Sequence, residues 1–123
     1  MSHGRVLLLE DDLALRGLLD EALAAEGFDV IVFDAFADLH SAAERRAGEV
    51  IVADFWGGGQ RTLLDQERTE IRELGTLLPV ILLTGRSWAS ETTAAELGAR
   101  ALMRKPFDLD ELVNAIARVL PQQ

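Results

Sequence analysis

Four short apolar runs lead into residues that can do chemistry. Val6–Leu9 leads into Glu10-Asp11-Asp12, Val50–Ala53 into Asp54 and Val80–Leu83 into Thr84, while Ala101–Met103 is followed at short range by Lys105-Pro106. Taken singly, each has an ordinary explanation: an acid after a strand caps the next helix or closes a turn, and a lone lysine is a solvated charge. Their chemistry depends on whether the chain gathers the ends of the runs. Carboxylates brought close together in a partly buried site repel one another, and leaving them unpaired is costly. A hard divalent cation resolves that conflict. Magnesium suits it, because it binds through one or two carboxylates together with waters and phosphate oxygens.

The elements between these residues decide the matter. Val30–Phe33 is a further apolar run, which makes five in all. Runs of four or so aliphatic residues without alternation predict strands buried on both faces. The intervening segments carry helical spacing. Leu15, Leu18, Leu19, Ala22 and Leu23 form a stripe ended by Gly27; Leu39, Ala42 and Ala43 form a second, ended by Gly48. Leu64, Arg68, Ile71 and Leu74 predict a third helix ended by Gly75, and Leu97 precedes Gly98 at the end of a short fourth. The clearest stripe runs from Leu109 through Leu112 and Ile116 to Leu120 and stops at Pro121; Asp108 and Glu111 have the spacing of a capping box for it. A β-α unit repeated five times predicts a parallel sheet with helices on both faces. Five units are too few for a barrel of about 250 residues. The expected fold is therefore α/β, a single doubly wound five-stranded parallel sheet, (βα)5, in flavodoxin-like order 2-1-3-4-5. Strands 1 and 3 are neighbours at its switch point, where ligands bind at the carboxyl ends of strands. Glu10, Asp11 and Asp54 then converge on one crevice.

Composition narrows the class. The 123 residues, 49% of them hydrophobic, suffice for one domain with its own core. There is no cysteine, which removes disulfides, zinc thiolate sites and thiol catalysis. Acids outnumber bases 21 to 12, for a net charge of −9, and a phosphate backbone repels such a surface, so no direct nucleic-acid binding is expected. No apolar stretch approaches the ~18 residues of a membrane span. Neither a signal peptide nor a membrane partner is expected, and the expected location is the cytoplasm.

With these motifs in order, the sequence resembles the response-regulator receiver domain of bacterial two-component signalling over nearly its whole length, with domain limits expected at residues 4–121 and no output domain in the chain. Glu10-Asp11 with Ala14-Leu15-Arg16 is similar to the family's acidic pair, Val50–Asp54 to its phospho-acceptor strand, Pro79–Gly85 to its fourth strand, and Gly98-Ala99 with Lys105-Pro106-Phe107 to its fifth. The resemblance implies that Asp54 takes a phosphoryl group from a histidine kinase or phosphotransfer protein, or from a small acyl phosphate. It implies a magnesium ion held by Asp11 and Asp54, with Glu10 assisting and the Trp56 backbone carbonyl as a further ligand. Lys105 would pair with Asp54 and then with the phosphoryl group, Thr84 would hydrogen-bond that group, and the Lys105-Pro106 bond would be cis. The chain would be a switch rather than an enzyme, catalysing only its own phosphoryl transfer and dephosphorylation. A downstream partner protein would read it, with a second copy of the chain as another candidate partner.

The chain also departs from that family. Gly57-Gly58-Gly59 stand where a hydrophobic residue and a proline are common, so this loop is expected to be mobile and magnesium affinity weaker. Leu102 replaces the aromatic residue that couples to the threonine, which puts the usual output route in question. Trp56 is expected to screen the pocket mouth from water, and Trp88 to pack. These departures motivate an alternative reading, a receiver-like protein-interaction module that no longer cycles through phosphorylation. A flavodoxin-like enzyme or nucleotide binder is disfavoured, because no Gly-x-Gly-x-x-Gly or Gly-Lys-Ser/Thr phosphate loop is present.

Overall fold

The protein is described from a computed structural model, over residues 4–54, 56, 64–85 and 92–120. Strands β1 (Arg5–Glu10), β2 (Asp29–Phe33), β3 (Val50–Asp54), β4 (Val80–Thr84) and β5 (Ala101–Arg104) alternate with helices α1 (Leu13–Ala25), α2 (Phe36–Glu44), α3 (Asp65–Leu77), α4 (Ala94–Leu97) and α5 (Leu109–Val119). The strands form one parallel sheet in the order β2-β1-β3-β4-β5, as the repeat predicts.

Successive strand residues point to opposite faces, and both faces are covered. Leu7, Leu9, Ile51 and Ala53 pack with Leu39 of α2 and Ile71 of α3. Val6, Leu8, Val50 and Val52 pack with Leu23 of α1 and Ile116 of α5. Each fully buried leucine or isoleucine contributes roughly 1.5–3 kcal/mol of transfer free energy. β2 departs from expectation: Ile31 and Val32 are 37% and 39% exposed, because β2 is an edge strand paired only with β1. Apolar run length does not distinguish an edge strand from a central one.

Two helix ends fall where a glycine follows the stripe. Gly27 (φ 95°) lies just past α1 and Gly98 (φ 81°) caps α4, both in the left-handed region that glycine tolerates. Two others do not. α3 runs through Gly75 to Leu77, and a Cβ at position 75 would lie 2.2 Å from the Gly98 carbonyl oxygen. That glycine serves the close approach of the α3 backbone to the end of α4, not termination. α2 ends at Glu44, well before Gly48, where a Cβ would lie 2.9 Å from the Leu7 side chain. The capping box also fails: Asp108 is the N-cap of α5, but its side chain makes no capping hydrogen bond. Among the described residues, no helix is long and apolar enough to cross a membrane.

Candidate functional site

The strand ends meet where the topology requires. Glu10 and Asp54 are register partners across β1 and β3, and Thr84 is paired with Arg104 across β4 and β5. The Lys105 amide donates to the Thr84 carbonyl at 2.7 Å, which fixes the residue after β5 against β4. From there its ammonium reaches back over the sheet to an ion pair with Asp54 Oδ2, and it lies 3.9 Å from Glu10 Oε1. The Lys105–Pro106 peptide is cis.

The three consecutive acids have separate fates. Asp12 is the N-cap of α1, its side chain accepting from the Leu15 amide at 3.0 Å. Asp11 is exposed. Glu10 is buried at 1% exposure; its Oε2 accepts from the Asp12 amide at 3.2 Å, while Oε1 has no hydrogen-bond donor among the described residues. Burial pushes the Glu10 carboxyl up to about 7; the Asp12 amide and the Lys105 ammonium oppose the shift, and the Asp54 and Asp11 carboxylates add to it. Thr84 is also buried, at 1% exposure.

Among the described residues, no three histidine, cysteine or acidic side chains form a ready-made metal cage. The donors still fit magnesium. Glu10 offers a buried oxygen without a donor, Asp54 faces it across one rung, and Asp11 stands exposed beside them. Magnesium needs few carboxylates because it keeps several waters.

Trp56 lies elsewhere than expected. Its ring is 3% exposed, packed in the core with Ile71 and Leu74, and its Nε1 donates to Glu70 Oε1 of α3 at 3.0 Å. A side chain tied into that core does not screen the pocket mouth. Glu70 is the residue that sequence reasoning missed: a glutamate in a charged helix 14 positions away carries no local sign of its partner. Leu102 is half-buried against the same core, opposite Leu82. Phe55, Gly57–Gly59 and Trp88 lie outside the described residues. Beside Lys105, an apolar recess is lined by Leu15, Leu18, Phe107 and Leu109.

The response regulator receiver domain family matches residues 6–117, and the chain belongs to that family, whose members are receivers of two-component systems. The DNA-binding transcriptional regulator NtrC of Escherichia coli K12 is 30% identical over 121 residues, 98% of this chain but 25% of NtrC. The response regulator protein PmrA of Pseudomonas aeruginosa is 36% identical over 118 residues, 93% of this chain and 52% of PmrA. This chain thus spans a quarter to a half of the length of these relatives. Among solved structures, the non-phosphorylated HemR receiver domain of Leptospira biflexa matches with a TM-score of 0.70 at 27% identity, covering 97% of this chain and 95% of that one.

Proposed function

We propose that the protein is a phosphorylation-driven signalling switch in which Asp54 is the acceptor. The observation that carries this reading is the Lys105 ammonium bonded to Asp54 and 3.9 Å from the buried Glu10 carboxyl. An oxygen of the Asp54 carboxylate attacks phosphorus, the bond from phosphorus to the donor's imidazole nitrogen or acyl oxygen breaks, and an acyl phosphate forms on the aspartate. Glu10, Asp11, Asp54 and the Trp56 carbonyl would hold magnesium, which supplies charge neutralisation to phosphoryl oxygens when bound. Lys105 moves its charge from the carboxylate to the new phosphoryl group. The Thr84 hydroxyl donates a hydrogen bond to a phosphoryl oxygen. The modification adds about 1.5–2 negative charges and three acceptor oxygens, and that change biases the switch.

The protein acts on no substrate other than its own phosphoryl group. Its donor is a histidine kinase or phosphotransfer protein in the cytoplasm, and the recess beside Lys105, with Leu18 64% exposed at its rim, offers such a partner an apolar footing. A downstream protein reads the result. The test is incubation with acetyl phosphate and magnesium, followed by intact mass. The expected result is a gain of one phosphoryl group that is absent in Asp54→Asn. No gain in the wild type, or an equal gain in the variant, removes Asp54 from this role and favours a module that binds without cycling.

A further inference from the structure

The hydrogen bond between Trp56 and Glu70 ties the segment after Asp54 to α3. The indole is almost fully buried, and its Nε1–H donates to Glu70 Oε1 at 3.0 Å. Glu70 itself is half-buried, next to Ile71, which is wholly buried. A buried donor deprived of its acceptor carries a full desolvation penalty, so the ring stays where the carboxylate is. Trp56 is two residues from Asp54, so the anchored ring bears on the backbone close to the acceptor and on the place of its own carbonyl.

We infer that Glu70 is a positioning residue for the acceptor site: through Trp56 it holds the backbone that follows Asp54, including the carbonyl assigned to magnesium. This rests on the acceptor reading above. It makes α3 a second support of the site, independent of Lys105 and β5. A displacement of α3 is then transmitted to metal affinity through Trp56, whose ring bonds Glu70 and packs on Ile71 and Leu74.

The test compares wild type, Glu70→Gln and Glu70→Ala. Magnesium affinity is measured by calorimetry, and phosphoryl uptake from acetyl phosphate by intact mass. The Trp56 indole N–H resonance, assigned with Trp88→Phe, reports the hydrogen bond directly. In Glu70→Ala the resonance should move and the magnesium dissociation constant should rise roughly tenfold, the lower end of what losing an outer hydrogen-bond partner costs a metal site. Glu70→Gln keeps an accepting oxygen and should return both readouts close to wild type. If Glu70→Ala does not fold, Trp56→Phe, which keeps a ring and loses the N–H, should show the same weakened magnesium binding. A wild-type dissociation constant in either folded variant overturns the inference, even if its melting temperature has dropped. Wild-type protein that gains no phosphoryl group overturns the acceptor reading and this inference with it; wild-type uptake matched by Glu70→Ala overturns the inference alone.

Discussion

Glu10 and Asp54 face each other across one rung of the β1–β3 ladder, and the Lys105 ammonium approaches both from beyond β5. One cation serves two carboxyl groups unequally: it bonds Asp54 and stops 3.9 Å short of Glu10. The undersatisfied member of the pair is the more deeply buried one. This imbalance sets how the site responds to protons, metal and mutation.

Protons act through Glu10. Burial pushes its carboxyl up to about 7 in the folded protein, above the ordinary 4.5, so the folded protein holds a proton that the unfolded chain releases across that interval. The metal-free stability contributed by this group is complete below pH 4.5, falls as pH rises towards about 7, and then levels off. Glu10→Gln, which is neutral throughout, should lack that fall and exceed the wild type above pH 7 by about 1–3 kcal/mol, one pKa unit being worth ~1.4 kcal/mol. Urea denaturation in a chelator between pH 5 and 8 measures the difference. Parallel curves for the two proteins would show that Glu10 titrates alike in both states.

Magnesium should stabilise the protein by relieving the same repulsion. At ten times its dissociation constant, a ligand of the native state adds about 1.4 kcal/mol. For a domain of this size that raises the melting temperature by roughly 3–8 °C. Asp11→Asn should abolish most of the shift. Equal shifts in the two proteins would place the ion elsewhere.

Lys105→Ala removes the cation that competes for Asp54. Magnesium should then bind more tightly, while the change induced by beryllofluoride, which stands in for the phosphoryl group, should be incomplete. Chemical-shift perturbation measures both. A full wild-type response in the variant would remove Lys105 from the switch.

Two glycines in helices should respond oppositely to alanine. At Gly17 in α1, a Cβ meets nothing within 4 Å, so Gly17→Ala should stabilise the protein by about 0.5–1 kcal/mol through helix propensity. At Gly75, a Cβ would sit 2.2 Å from the Gly98 carbonyl oxygen, and Gly75→Ala should cost about 1–3 kcal/mol as the helices are forced apart. Urea midpoints decide it, and a Gly75→Ala midpoint at or above wild type would mean that α3 and α4 separate freely.

These glycines also show what one dimension of sequence contains. The sheet order, the five β-α units and the meeting of Glu10, Asp54 and Lys105 were legible because uninterrupted apolar runs and right-handed crossovers leave few topologies. The ends of α1 and α4 were legible for a local reason, a left-handed glycine. Gly75 and Gly48 carry no such local sign, because their constraint comes from Gly98 and Leu7, distant in sequence. The same holds for the Trp56 ring: its direction is set by Glu70 and the core beneath the sheet, not by its neighbour Asp54. Asp108-x-x-Glu111 had the right spacing for a capping box, yet the cap made no side-chain bond.

The ion pair between Asp54 and Lys105 spans 51 residues of chain. During synthesis both acidic strands leave the ribosome before the lysine does, and β5 can dock only against a β4 already in place. A nascent or truncated chain ending before β5 therefore carries the carboxylates without their cation. Completion of the site is coupled to completion of the domain: the cation that balances Glu10 and Asp54 arrives only with the last strand.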